Sequence, residues 1–135
     1  MRGLTQLSLA LAVALAAAQA EPSGALLLEA EDAVLSGTEV DTAESGFSGT
    51  GYVTGFEEAT DKITFSFEVA DERLYDLSIR YAGIYGEKRA SVVLNGGVSF
   101  EVPFAETTAF ETASGGQVLL SAGTNTIDIV SNWGW

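Results

Sequence analysis

Strict alternation of apolar and polar residues over 62–69 and 74–81 is the feature that most constrains the fold. The apolar positions are Ile63, Phe65, Phe67 and Val69 in the first segment, and Tyr75, Leu77, Ile79 and Tyr81 in the second. Side chains point to opposite faces of a strand with period 2, so this pattern is typical of half-buried antiparallel strands. The sequence therefore predicts two strands, each with one face in a core.

Further short segments extend the β pattern. Residues 91–94 are followed by Asn95 and Gly96, which are a strong hairpin signal because both residues tolerate positive φ. Apolar residues alternate again on the return strand. Residues 117–120 and 126–130 look like one more strand pair. There are many turn signals and no convincing helix. We therefore expect one all-β domain, a two-sheet sandwich or jelly roll.

Residues 1–20 are predicted to be a secretory signal peptide. Arg2 supplies the positive charge, residues 7–18 form an apolar stretch, and a small-x-small cleavage site ends at Ala20. The apolar stretch is shorter than the about 20 residues that a membrane span needs. We expect a secreted, extracellular and monomeric domain at residues 21–135.

The charge of the chain excludes several classes of function. There are 19 acidic and 6 basic residues, with a net charge of −13, so nucleic acid and anionic membranes are not expected partners, whereas divalent cations are favoured. The sequence has no cysteine and no histidine, which argues against zinc sites and nucleophilic triads. The acidic pairs Glu57-Glu58 and Asp71-Glu72 do not suit a glycosidase, because that chemistry needs two carboxyl groups at set separations across a cleft.

Glu29 and Glu31 are the candidate metal ligands. Leucines before Glu29 predict a buried strand, and two glutamates two residues apart on a strand point the same way. Two like charges side by side are unfavourable unless a positive charge lies between them. Calcium takes six to eight oxygen ligands, and the glycine-rich segment 46–51 could supply carbonyl groups. The alternative is two solvated surface glutamates.

Five motifs carry a resemblance to a known family. They are Leu28-Glu-Ala-Glu-Asp32, Gly46-Phe-Ser-Gly-Thr-Gly-Tyr-Val53, Tyr75-Asp-Leu-Ser-Ile-Arg-Tyr-Ala82, Val93-Leu-Asn-Gly96 and Asn132-Trp-Gly-Trp135. In this order, over residues 26–135, the chain resembles a family 35 carbohydrate-binding module, kin of family 6, and in particular the modules attached to fungal family 26 β-mannanases. The resemblance implies a galactose-binding-domain-like β-jelly roll with a structural calcium ion.

The same resemblance implies a boundary of the domain. Family members usually continue past the Trp-Gly motif into a final strand of type Tyr-x-Ile-Asp-Tyr-Ile, whose Asp is a calcium ligand. The sequence stops at Trp135, before such a strand. We therefore expect a C-terminally truncated module that lacks its last strand and one ligand of the calcium shell.

The candidate sugar-binding residues are Asn132, Trp133, Trp135, Tyr85 and Arg89. An indole beside an amide suits a sugar, because the C–H face of a pyranose lies on the aromatic plane and amides bond its hydroxyl groups. Tyr85 could stack on a sugar and Arg89 could donate to hydroxyl groups. The alternatives are indoles that fill the core and an ordinary charged loop.

The resemblance implies non-catalytic binding of plant cell-wall polysaccharide, with mannan or a galactose-containing mannan as ligand, by loops at one end of the sandwich. It also implies that the module delivers an associated glycoside hydrolase to the polymer. Three alternatives remain at this point: a secreted protein-binding adhesion domain, a glycoside hydrolase or a fragment of one, and a non-functional remnant.

Overall fold

The computed structural model describes residues 12–17, 26–43, 45–47, 49–84 and 86–131. Its strands are β1 (Ala12–Ala17), β2 (Leu26–Glu29), β3 (Val34–Ser36), β4 (Glu39–Asp41), β5 (Tyr52–Thr54), β6 (Lys62–Val69), β7 (Arg73–Tyr81), β8 (Lys88–Leu94), β9 (Ser99–Phe104), β10 (Glu111–Leu120) and β11 (Gly123–Ser131). One 3₁₀-helix, η1 (Ala30–Asp32), follows β2. No helix in these ranges is long and apolar enough to cross a membrane.

The strands form a sandwich of two antiparallel sheets, which confirms the predicted fold class. One sheet has the order β10-β7-β1-β2, the other has the order β3-β6-β11-β8-β9, and β4 pairs with β5 in a ribbon. The core lies between the sheets and includes the inward residues Ile63, Phe65, Leu77, Ile79 and Tyr81. Complete burial of one such side chain stabilises the fold by roughly 1.5–3 kcal/mol, so the alternating pattern holds the two sheets together.

The predicted hairpin at Asn95 and Gly96 is confirmed. It joins β8 to β9, and both residues have positive φ angles, 51° and 70°. The N–H of Leu94 donates to the carbonyl of Val98 at 2.8 Å, which closes the turn.

The predicted pairing of 117–120 with 126–130 is wrong. Both segments are strands, but β10 lies beside β7 in one sheet and β11 lies between β6 and β8 in the other. Asn125 is only 1% exposed and closes the corner between them: its Oδ1 accepts from the N–H of Ser121 at 3.1 Å, and its Nδ2 donates to the Ser121 carbonyl at 2.8 Å. Alternation predicts which face is buried but not the sheet to which a strand belongs.

Strand β1 lies inside the segment that the sequence assigned to a signal peptide. It is antiparallel to both of its neighbours, β2 and β7. Cleavage of residues 1–20 stays a prediction, but in the intact chain residues 12–17 occupy an inner position of the four-stranded sheet.

Candidate functional site

The carboxylates of Glu29 and Glu31 border the same small space beside Gly49. A Cβ atom at Gly49 would collide with Oε2 of Glu31 and would lie 2.8 Å from Oε2 of Glu29. Gly49 has a φ of 66°, a conformation that glycine adopts without steric cost. The missing side chain and the positive φ together let the backbone pass close to both carboxylates.

The local structure that brings the two glutamates together differs from the prediction of a single strand. Strand β2 ends at Glu29, and Glu31 lies in η1. The N–H of Ala33 donates to the carbonyl of Ala30 at 3.0 Å, and Ala30 is completely buried. A tight turn over a buried alanine, rather than the two-residue period of a strand, therefore places the carboxylates side by side, while Asp32 is exposed.

Glu31 has one satisfied and one unsatisfied oxygen. The backbone N–H of Thr50 donates to its Oε2 at 2.8 Å. Its Oε1 is buried and has no hydrogen-bond partner among the described residues. A buried carboxylate oxygen without a partner is costly, because the carboxylate has lost water without gaining a donor or a cation.

These two glutamates fit a hard cation. Carboxylate oxygens are ligands that calcium prefers, and it also accepts backbone carbonyls and water. No group of three or more acidic, histidine or cysteine side chains gathers to hold a metal ion in the part of the chain that the structure describes. An ion at this pair would therefore need neutral oxygens for the rest of its shell.

A small aromatic cluster anchors the loop that contains Gly49. Tyr52 is 2% exposed, and its ring centroid lies 5.6 Å from that of Phe110 and 5.9 Å from that of half-buried Phe47. The guanidinium group of Arg80 lies 5.8 Å from the centre of the Phe110 ring and donates to the carbonyl of Gly46 at 2.9 Å. Arg80 thus ties this loop to strand β7.

The loop after β7 is held against the loop after β9. The N–H of Gly83 donates to Oγ1 of Thr107 at 2.8 Å, and the N–H of Thr107 donates to the carbonyl of Gly83 at 3.0 Å. The hydroxyl of Tyr81 donates to the carbonyl of Ala105 at 2.8 Å. Burial raises the pKa of Tyr81, and the charge of Glu111 adds to this. The phenol is therefore a neutral donor in this clamp.

Asp61 is a structural carboxylate that the sequence analysis missed. It is 7% exposed, and its Oδ2 accepts from the N–H groups of Glu57 and Glu58 at 2.9 and 2.8 Å. Its own carbonyl accepts from the N–H of Ser131 at 3.0 Å. The sequence signal for this role is an Asp at the end of a turn, where its side chain can accept from the backbone N–H groups three and four residues earlier. The side chains of Glu57 and Glu58 are exposed on this turn.

Four of the predicted sugar-binding residues lie outside the described residues; they are Asn132, Trp133, Trp135 and Tyr85. Arg89 is exposed on β8, with its Nη1 3.4 Å from Oε1 of Glu101. Ser131, the last described residue, pairs with Ala90, the neighbour of Arg89. The last described residue therefore lies beside the start of β8.

The ends of several strands meet at one end of the sandwich. Tyr81 at the end of β7 pairs with Glu111 at the start of β10, and Val130 near the end of β11 pairs with Lys62 at the start of β6. The C-terminal ends of β7, β9 and β11 lie at this end of the sandwich. At the opposite end, a groove of about 520 Å³ is lined by apolar residues that include Val98 and Leu119.

Comparison with models of protein families matches residues 26–135 to the family described as "Carbohydrate binding module (family 35)". A curated mannan endo-1,4-beta-mannosidase of Thermothelomyces thermophilus is 60% identical over 121 residues, which are 89% of this chain and 25% of that enzyme. The chain thus spans about a quarter of the length of this relative.

Two solved structures are similar in fold. A GH26-CBM35 β-(1,4)-mannanase of Podospora anserina has a TM-score of 0.77 and 62% identity, covering 80% of this chain and 24% of that protein. A Xyl-CBM35 in complex with a disaccharide that contains glucuronic acid has a TM-score of 0.70 and 25% identity, covering 80% of this chain and 83% of that one. With a jelly-roll sandwich and a family match over most of its length, the chain belongs to the family 35 carbohydrate-binding modules, which are non-catalytic binding domains.

Proposed function

We propose that this domain binds β-mannan or galactomannan of the plant cell wall and keeps an associated mannanase on its polymer. The observation that carries the proposal is the 60% identity to a mannan endo-1,4-beta-mannosidase in which the matched part is only 25% of the enzyme. A module that binds a polymer weakly raises the effective concentration of a tethered enzyme at that polymer. The predicted signal peptide supports secretion, where such a polymer would be met.

The proposed sugar site is the loop end of the sandwich, with Asn132, Trp133, Trp135, Tyr85 and Arg89 as its contacts. The support from the described residues is rigidity: the loop after β7 is held by hydrogen bonds to the loop after β9, and β11 leads into residues 132–135 from an anchored Ser131. A rigid frame lowers the cost of ordering side chains when a sugar binds. Recognition then rests on stacking and hydrogen bonds and breaks no bond.

The charge of the chain favours a neutral polysaccharide over an acidic one. The net charge is −13, so a uronic acid polymer would be repelled at long range. Mannan and galactomannan are neutral and avoid this repulsion. The ligand proposed here therefore differs in charge from the glucuronic acid sugar of the similar Xyl-CBM35 structure.

Affinity electrophoresis tests the proposed ligand. We expect galactomannan and β-mannan to retard the protein, and glucuronoxylan to retard it less. Trp133→Ala and Trp135→Ala should abolish most of the retardation. Leu119→Ala is the matched control, because it truncates a side chain that is 56% exposed at the opposite end of the sandwich. Equal retardation of the Trp variants and the intact protein, or no retardation of a folded protein by any mannan, would contradict the proposal.

We also propose that Glu29 and Glu31 hold a structural calcium ion, with backbone carbonyls and water as its other ligands. The buried, unpartnered Oε1 of Glu31 and the common space beside Gly49 support this. The ion would neutralise two converging carboxylates and restrain the loops above them.

Thermal unfolding in calcium and in chelator tests the calcium proposal. At 100 times its dissociation constant, a bound ion stabilises by about 2.7 kcal/mol, or roughly 10–20 °C for a domain of this size. We expect Glu29→Ala to remove most of this gain in calcium and to change little in chelator. The control, Asp32→Ala, alters an exposed carboxylate in the same 3₁₀-helix and should behave as the intact protein does. Equal losses in both buffers would argue against a metal role.

A further inference from the structure

Asn95 is the only one of the three asparagines in the sequence that precedes a glycine; the other two precede threonine and tryptophan. The backbone nitrogen of a glycine is the easiest for an asparagine side chain to reach, because no Cβ atom hinders the approach. Asn95 and Gly96 are both exposed at the tip of the hairpin between β8 and β9. The side-chain amide of Asn95 therefore has an unhindered backbone nitrogen as its neighbour.

The surroundings of Gly96 leave this nitrogen accessible. No atom beyond its own chain neighbours lies within 4 Å of the Cβ position of Gly96. Its N–H has no hydrogen-bond acceptor among the described residues, whereas the N–H of Gly97 donates to the carbonyl of Leu94 at 2.9 Å. The hairpin is thus closed by Gly97, and the nitrogen of Gly96 is left out of the hydrogen bonds of the turn.

Three hydrogen bonds hold Asn95 itself in place. Its N–H donates to the carbonyl of Thr126 at 2.9 Å, and its Oδ1 accepts from the N–H of Thr126 at 2.8 Å. Its Nδ2 donates at 3.0 Å to Oδ1 of Asn125, the buried residue that closes the corner between β10 and β11. The side chain must turn away from both partners before its Cγ can meet the nitrogen of Gly96.

We propose that Asn95 is a site of spontaneous deamidation, and that the corner at Asn125 sets its rate. The nitrogen of Gly96 attacks Cγ of Asn95, the Cγ–Nδ2 bond breaks, and ammonia leaves with the proton that the Gly96 nitrogen loses. The product is a cyclic imide. Water then opens the imide at either of its carbonyl groups and gives aspartate or isoaspartate. The reaction needs only water and is independent of the sugar that the domain binds.

Either product weakens the join between the hairpin and the corner. Aspartate has no N–H to donate to Oδ1 of Asn125, so two acceptors would face each other beside a side chain that is 1% exposed. Isoaspartate also adds a methylene group to the main chain of a turn whose φ angles are 51° and 70°. Asn95 lines the groove opposite the proposed sugar site, so we expect a loss of stability rather than of binding.

Peptide mapping by mass spectrometry tests the site. The intact protein and a synthetic peptide of residues 91–100 are incubated at mildly alkaline pH. We expect Asn95 to convert before Asn125 and Asn132, and at least about tenfold more slowly than in the peptide, because the turn opens only part of the time. Gly96→Ala in the peptide should slow the reaction by at least about tenfold.

Two outcomes of this mapping would overturn the proposal. One is an Asn95 that remains unmodified in the protein after about a hundred half-lives of the peptide, a time that allows for rare opening of the turn. The other is the same rate in the protein and in the peptide, which would show that the corner has no effect.

A variant of the corner tests the control of the rate. Asn125→Ala removes the acceptor of Nδ2, and we expect Asn95 to convert several-fold faster than in the intact protein. Dilute urea gives the same test without a substitution, should this variant fail to fold. Deuterium exchange of the Thr126 N–H reports the opening of its bond to Asn95, and exchange and conversion should rise in parallel. Conversion that stays constant while exchange rises would refute control by the corner.

Asn95→Asp reproduces one product and tests its effect. Loss of one hydrogen bond should raise the equilibrium constant of unfolding in urea by about fivefold to tenfold. Gln117→Glu is the matched control, because it makes the same change of charge at an exposed amide that lines the same groove, and it should change this constant by less than about twofold. Equal effects of the two substitutions would show that charge, and not the bond to Asn125, accounts for the loss.

Discussion

Gly49→Ala is the substitution that most directly tests the calcium proposal. The added Cβ would overlap Oε2 of Glu31 and approach Oε2 of Glu29 to 2.8 Å. Both atoms are the ends of flexible side chains, so in the absence of an ion the carboxylates can swing aside, and the main cost is the hydrogen bond from the Thr50 N–H to Oε2 of Glu31. An ion bound between them would hold them in place, and the collision would then be paid in affinity. The substitution should therefore be far more harmful with calcium than without it.

Gly96→Ala is a matched control that separates strain from collision. Gly96 has a φ of 70°, close to the 66° of Gly49, but nothing lies within 4 Å of its Cβ position. An L-residue in this region costs about 1–2 kcal/mol at either site. In saturating calcium the intact protein gains about 2.7 kcal/mol at 100 times the dissociation constant, and a hundredfold weaker site would keep only about 0.4 kcal/mol of it.

We therefore expect Gly96→Ala to lose about 1–2 kcal/mol of unfolding free energy in both buffers. In chelator Gly49→Ala should lose this amount and the contribution of the Thr50–Glu31 hydrogen bond, and in calcium it should lose about 2 kcal/mol more than in chelator. Urea unfolding in the two buffers measures these differences, and calorimetric titration with calcium measures the affinity directly. If Gly49→Ala and Gly96→Ala gain equally from calcium, the two carboxylates do not bind the ion in the arrangement described above.

Two further predictions concern the frame of the loop end. Asp61→Ala leaves the N–H groups of Glu57 and Glu58 without their acceptor and should cost about 2–3 kcal/mol in urea unfolding, whereas Glu58→Ala, an exposed side chain on the same turn, should stay within about 0.5 kcal/mol of the intact protein. Burial raises the pKa of Tyr81, so its neutral form stabilises the fold below the ordinary pKa of 10.0, and this contribution is lost as pH rises through the higher folded-state pKa. Tyr81→Phe should therefore lose stability less steeply than the intact protein above pH 10. An unchanged slope of stability against pH in this range would contradict the assignment.

The strands were predictable where the signal is local. Alternation in β6 and β7 depends only on which residues face the core, and both strands are found where the pattern predicts them. The partner of β10 was not predictable in this way, because the corner at Asn125 sends the next strand to the other sheet through side-chain bonds to Ser121. A tight hairpin and a crossing between sheets show the same alternation on either side.

The site shows a different limit of sequence reasoning. Glu29 and Glu31 were selected because like charges two residues apart on a strand need a counter-charge, and they do converge, but Glu31 reaches this place through the 3₁₀-helix over buried Ala30. The part played by Gly49 could not be predicted, because it depends on a contact between segments about 20 residues apart. Asp61, by contrast, has a local sequence signal, because it lies four and three residues after Glu57 and Glu58, whose N–H groups donate to it.

The candidate metal pair is restrained from two independent directions. Strand β1 pairs with β2, the strand that ends at Glu29. Arg80 on β7 donates to the carbonyl of Gly46, in the segment that approaches the carboxylates. The end of β2 and this loop therefore border the same small space beside Gly49. The proposed ion would favour the arrangement in which both are in place, and linkage requires that a loop held in place favours the ion by the same factor. The affinity for calcium and the ordering of this loop are thus expected to rise and fall together.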